Sequence, residues 1–169
     1  VAAGALCSCA IGRKGTTDEA PNPCYACHGG DWTAAPPIDT RGGTETTLRG
    51  VGAHRAHLDG VGSAAAIPCG TCHRLPAGVD DPGHMDDPLP AEVRFTGLAV
   101  GGSLPPELTV TGEGKDAILH CRNVYCHGAT LQGGQNTAPR WNGTDAADPV
   151  ACDACHGNPP ESVRGGRPH

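Results

Sequence analysis

Cys24-Tyr25-Ala26-Cys27-His28, Cys69-Gly70-Thr71-Cys72-His73 and Cys152-Asp153-Ala154-Cys155-His156 share one pattern, CxxCH, and Cys121-Arg122-Asn123-Val124-Tyr125-Cys126-His127 repeats it with a wider spacer. The chain has ten cysteines and nine histidines in 169 residues, a composition from which chance would supply about 0.03 strict CxxCH matches. Three matches are therefore a chemical signal. Two thiols three positions apart can each form a thioether with a haem vinyl group, and the histidine that follows then lies under the iron as its proximal ligand. The CxxxxCH spacer widens the loop between the thiols but keeps the Cys-His junction that fixes the ligand. Four c-type haems are expected, on Cys24/Cys27, Cys69/Cys72, Cys121/Cys126 and Cys152/Cys155, with His28, His73, His127 and His156 as proximal ligands.

The rest of the composition asks for such groups. Leu, Ile, Val and Phe number only 25 of 169 residues, there are five aromatics, and Gly (26) and Pro (16) make up a quarter of the chain. Side chains alone do not build an ordinary core from this material. Metals, disulfides or covalent cofactors rescue such chains, and haem faces bury far more apolar area than a Leu or a Phe. A zinc site built from two CxxC pairs would use four thiolates and has no need of a histidine after every second cysteine. A disulfide framework likewise leaves the histidines unexplained, and a thioredoxin-like pair needs an apolar sheet that this composition does not provide. Net charge is -6, with only two lysines, Lys14 and Lys115, and scattered arginines, which argues against a nucleic-acid partner. No apolar run approaches the length of a membrane span.

Five histidines remain: His54, His57, His84, His120 and His169. Four irons need four distal ligands, so bis-histidine ligation throughout is the expectation, with one histidine to spare. His54 and His57 stand three apart in Val51-Gly52-Ala53-His54-Arg55-Ala56-His57-Leu58; a helix there would project both rings from one side, toward two neighbouring haems. His84 follows Pro82-Gly83 in a turn, and its neighbour Met85, the one methionine, is the minor alternative as a ligand. His120 precedes Cys121 directly and would have to turn back to reach the third haem's far face, so it would serve another iron. His169, the last residue, is preferred over it as the fourth distal ligand because coordination would tie down a chain end.

Residues 1–23 carry no haem motif and read as an arm, followed by a tetrahaem domain over 24–169. The arm begins with a small apolar stretch, Val1 to Leu6, like the tail of a cut signal peptide. It holds Cys7 and Cys9, which suit a disulfide in an oxidising compartment; Leu6-Cys7-Ser8-Cys9 also faintly matches a lipoprotein box. The expected fold is mostly coil with short helices at the motifs and at most a small β-hairpin. Glu92-Val93-Arg94-Phe95-Thr96 and Leu108-Thr109-Val110-Thr111 alternate at period two, so their pairing through Gly101-Gly102 and Pro105-Pro106 is the predicted hairpin. Cys-His-Gly recurs at 27–29, 126–128 and 155–157, where a glycine lets the chain leave the haem edge sharply.

With these residues in hand, the chain resembles the CxxxxCH/CxxCH multihaem cytochromes of dissimilatory metal-reducing bacteria. The matching pieces are Cys24 to Gly29, Val51 to Leu58, Cys69 to His73, Pro82-Gly83-His84, Ala91 to Phe95, Asn123 to Gly128 and Cys155-His156-Gly157-Asn158-Pro159-Pro160. The resemblance implies secreted or outer-surface, low-potential electron transfer, and related small multihaem cytochromes polymerise into conductive extracellular filaments. It places His54, His57 and His84 at ligand positions, whereas His120 looks peculiar to this sequence. The arm lies outside the match. Tetrahaem cytochromes of the sulfate-reducer type also mix the two motifs but are shorter and lysine-rich.

Three functions follow for comparison. The first is a subunit of a polymeric cytochrome filament that conducts extracellularly, with copies of itself, other cytochromes or extracellular electron acceptors as partners. The second is a monomeric periplasmic or secreted electron shuttle, which would carry a charged docking patch. The third, a multihaem oxidoreductase, needs an iron with an open face and acid-base groups around it; histidines outnumber the vacancies and no CxxCK occurs, so an electron carrier rather than an enzyme is expected.

Overall fold

The computed structural model describes residues 28–29, 38–39, 41–60, 65–86, 91–144, 151 and 153–157. The arm over 1–23, with Cys7 and Cys9, lies outside them, as do Cys24, Cys27, Cys152 and His169. Most of the described chain is loop and turn. Regular structure consists of one short helix, α1 (His54–Asp59), a two-stranded antiparallel sheet of β1 (Glu107–Thr111) and β2 (Ile118–Arg122), and single 3-10 turns at Cys69–Thr71, Gly97–Val100, Gly114–Asp116 and Tyr125–His127. Two of those turns are the second and third haem motifs themselves.

The hairpin differs from the predicted one. Strand β1 pairs with β2, Leu108 opposite Cys121 and Val110 opposite Leu119, while residues 92–96 run along the second CxxCH motif. Arg94 N–H donates to the Cys72 carbonyl (2.7 Å), Thr96 N–H to that of Thr71 (2.8 Å) and Thr96 Oγ1 to that of Gly70 (2.7 Å). The physical reason lies in the loop length. Gly112 (φ 78°) and Gly114 (φ 61°) turn the chain in the six-residue loop after β1, so Ile118–Arg122 returns as its partner at a lower loop-closure cost than a segment further upstream.

The side chains bury little. The buried apolar residues are Val51, Ala53, Ala99, Ala117, Leu119, Val124 and Ala154, four of them alanines. Larger apolar side chains stay exposed, among them Leu75, Leu98, Leu104 and Met85.

One buried polar side chain organises the centre. Asn142 Oδ1 accepts the Leu119 N–H (2.9 Å), and its Nδ2 donates to the carbonyls of Thr47 (2.9 Å) and Ala117 (3.0 Å). Thr46 Oγ1 donates to the Gly143 carbonyl (2.7 Å) and Gly143 N–H to that of Thr46 (3.1 Å). The loop that leads into α1 is thereby fastened to the strand that carries Cys121. A six-residue helix with no side-chain N-cap bond does not hold itself; this clamp and Ile67 N–H, which donates to the His57 carbonyl (2.8 Å), hold it instead. Gly60 (φ 75°) ends it.

Candidate functional site

The wider spacer of the third motif has a local explanation. Cys121 sits in β2, Asn123 turns the chain in the left-handed region (φ 56°), and Tyr125–His127 forms the 3-10 turn that presents Cys126 and His127. The two extra residues are the exit from a strand. In the second motif both cysteines belong to one turn, since Cys72 N–H and His73 N–H donate to the Cys69 carbonyl (3.1 and 3.0 Å). Glycine follows the ligand with positive φ at Gly29 (79°) and Gly128 (82°), as expected, but not at Gly157.

Motif histidines face non-motif histidines in three pairs. His28 lies opposite His84 with ring centroids 6.0 Å apart and planes 28° apart. His54 lies opposite His73 at 6.1 Å and 24°, and His57 opposite His127 at 5.9 Å and 81°. These separations suit an iron between the rings: a metal-to-imidazole bond of about 2 Å, extended by about 1 Å to the ring centre on each side, gives about 6 Å. Helix α1 brings its two histidines to different partners, one in each of two motifs. Met85 is 75% exposed, and it is His84 that faces His28.

The tautomer is set by the backbone. The Nδ1 atoms of His54, His57, His73 and His84 lie 2.9, 2.8, 2.9 and 2.9 Å from the carbonyls of Val51, Ala53, Glu92 and Val79. A carbonyl can only accept, so Nδ1 carries the proton and Nε2 keeps the lone pair that binds a metal. His120 and His156 follow suit, toward the carbonyls of Ala138 (3.1 Å) and Gly157 (2.9 Å). Burial drives His54 down to about 4, helped by His73 and His57, and burial and His57 do the same for His127, also to about 4. His28 is lowered by burial, then by His84 and His73. These rings are held neutral, as coordination requires.

The thiols are held neutral as well. Burial, then Cys72, pushes Cys121 up to about 11; burial also raises Cys72, with Cys126 and Cys69 adding to it, and Cys126, with Cys155 adding. Surroundings that disfavour a thiolate fit an uncharged thioether. Among the described residues no three His, Cys, Asp or Glu side chains converge as a metal cluster. Opposed pairs suit a planar group with two axial positions; a tetrahedral centre needs four converging donors.

His156 is placed by the segment beside it. It bridges Gly133 in antiparallel fashion, and Gly157 N–H donates to the Gln132 carbonyl (2.9 Å). Cys155 Sγ lies 3.8 Å from the Cys126 carbonyl, so the third and fourth motifs touch. Among the described residues no ring is paired with His156. His120 sits on β2 next in line to Cys121, so the two side chains point to opposite faces of the hairpin. The structure thus leaves His120 apart from the three pairs, and His169 lies outside the described residues. The pairing itself had no sequence signal, since it joins residues from 19 to 70 positions apart.

A chain with CxxCH motifs, neutral thiols and opposed imidazoles has the features of a c-type cytochrome, in which haem is bound covalently and carries electrons. Residues 120–156, the stretch that holds the third and fourth motifs, match the family described as the Geobacter CxxxxCH...CXXCH motif. The match agrees with a multihaem c-type cytochrome of metal-reducing bacteria. Neither the curated proteins nor the solved structures gave a match. No helix among the described residues is long and apolar enough to cross a membrane.

Proposed function

We propose that the protein carries electrons through four covalent, bis-histidine c-type haems and works outside the cell as the subunit of a polymeric cytochrome filament. The observation that carries the haem assignment is the set of three opposed pairs, each joining a motif histidine to a non-motif one. Bound haem supplies a one-electron couple at each iron, with no bond made or broken. Contacts between successive sites support this reading. The first pair neighbours the second, where His28 feels His73; α1 joins the second to the third; Cys126 against Cys155 joins the third to the fourth. Such neighbours suit electron transfer from one site to the next.

The polymer is supported by the haem-free arm of residues 1–23, which has no cofactor of its own to pack on, and by a non-closing head-to-tail contact being enough to propagate a fibre. A fourth distal ligand donated by a neighbouring subunit would make assembly and electrical continuity one event. His169 is the first candidate. His120 is the alternative, with Nδ1 anchored on Ala138 and Nε2 left for a metal. Intact mass under denaturing conditions tests the count: four haem additions are expected, and three would mean that the CxxxxCH site is empty. Negative-stain imaging of the purified material separates fibres from the monodisperse particles of a shuttle. In His169→Ala, soluble particles with one five-coordinate or water-ligated haem per chain are expected; normal fibres with every haem low-spin would transfer the role to His120 or to another contact.

A further inference from the structure

His54 and His57 sit one turn apart on the same short helix, and both anchor Nδ1 on a backbone carbonyl of the preceding turn. Their pairs nevertheless differ in kind. The planes of His54 and His73 are 24° apart, close to parallel, whereas those of His57 and His127 are 81° apart, close to perpendicular. One side chain lies against both helix histidines. The Trp141 ring stands edge-on to His54, at 4.6 Å and 85°, and tilted against His57, at 5.7 Å and 38°.

That residue is fixed, ring and backbone, by contacts independent of either imidazole. Its Nε1 donates to the Arg49 carbonyl (2.9 Å), its backbone N–H donates to that of Leu119 (2.7 Å), and its neighbour Asn142 is the buried clamp. Gly52 leaves room for it: a Cβ there would lie 2.6 Å from Cε2 and 2.8 Å from Cδ1 of the indole. A six-residue helix gives its side chains little rigidity of its own. We propose that Trp141 is the positioning residue that fixes the ring planes of His54 and His57, and so makes the second and third haem sites electronically unlike although one helix serves both. The proposal rests on the haem assignment above.

The chemistry follows from the shape of an imidazole. Its filled π orbital is normal to the ring and raises whichever iron dπ orbital it overlaps. Parallel rings act on the same dπ orbital and split the pair; perpendicular rings act on one each and leave the two nearly equal. The unpaired electron of low-spin ferric iron reports that splitting directly. Near-parallel rings give a rhombic electron paramagnetic resonance signal, and near-perpendicular rings give a broad, highly anisotropic one. Axial-ligand arrangement is one of the few means by which a protein tunes a haem.

The experiment is electron paramagnetic resonance on the oxidised, full-length, haem-loaded protein. One highly anisotropic signal belonging to the third site is expected, and it should vanish in the double variant Cys121→Ala/Cys126→Ala. Rhombic signals are expected from the first and second sites. In Trp141→Leu the third-site signal should move toward rhombic and the second-site signal should shift, while the first-site signal, from His28 and His84, stays in place as an internal control. Should Trp141→Leu fail to mature, Trp141→Phe, which keeps a ring but loses the Nε1 donor, is read by the same two signals. A rhombic third-site signal in the unaltered protein overturns the proposal, and so do unchanged second- and third-site signals in whichever variant matures. Failure of the haem assignment looks different: high-spin iron at the second or third site of the unaltered protein, or fewer than four haem additions by mass.

Discussion

At the scale of single residues, each proposed distal histidine can be tested without touching a thioether. On the proposed assignment, His54→Ala opens the second site and His57→Ala the third, so each variant should keep its full complement of covalent haem by mass yet show one five-coordinate or water-ligated iron per chain. Loss of the same low-spin paramagnetic resonance signal in both variants would mean that α1 does not feed two sites. Met85→Ala should change nothing in the visible spectrum, because Met85 is 75% exposed and His84 is the ring that faces His28. The sequence proposes these histidines as candidates, since counting histidines against vacancies needs no coordinates. The pairing of each with its partner is not legible there, because it depends on loops that bring His84 to His28 and His57 to His127.

At the scale of elements, the hairpin and its clamp decide where the third motif sits. Asn142→Leu keeps the branched shape but leaves the buried Leu119 N–H and Ala117 carbonyl without the amide partner, at a cost of about 3 kcal/mol. A lower thermal midpoint of the haem-loaded protein would report it; an unchanged midpoint would show that water or a neighbour replaces the amide. Gly128→Ala should be harsher. The backbone there is left-handed (φ 82°), and a Cβ would run into the Cys155 carbonyl, so strain of about 1–3 kcal/mol is added to a clash between two motifs. Lower yields of fully loaded protein, with the deficit at the third and fourth sites in peptide maps, are the expected outcome. Sequence periodicity marks β1 faintly and not β2, whose last two residues, Cys121 and Arg122, open a haem motif.

For the whole molecule the governing fact is how little the side chains bury. Seven small or medium apolar residues form the core of the described chain, far short of what usually offsets the conformational entropy of folding. Chain produced without haem attachment should therefore show no cooperative thermal transition and should be digested readily by protease, while the loaded protein resists. A cooperative transition in the haem-free chain would show that the Asn142 clamp and hairpin suffice alone. In the proposed filament, burial between subunits would add what each subunit lacks.

The sequence by itself determined the class of chemistry: CxxCH motifs indicate covalent c-type haem attachment, because the Cys-His junction works through bonds a few atoms long. It also determined that the fold would be mostly loop, since a chain a quarter Gly and Pro with 25 branched aliphatic and Phe residues cannot do otherwise. Only the tertiary structure decided which histidine faces which, that residues 92–96 line the second motif while β2 takes β1, and that two histidines on one helix meet their partners at 24° and 81°. Those outcomes depend on contacts between segments far apart in the chain. Asn142 bonds to Thr47 and Trp141 to Arg49, and no local pattern of residues encodes a hydrogen bond across more than ninety positions.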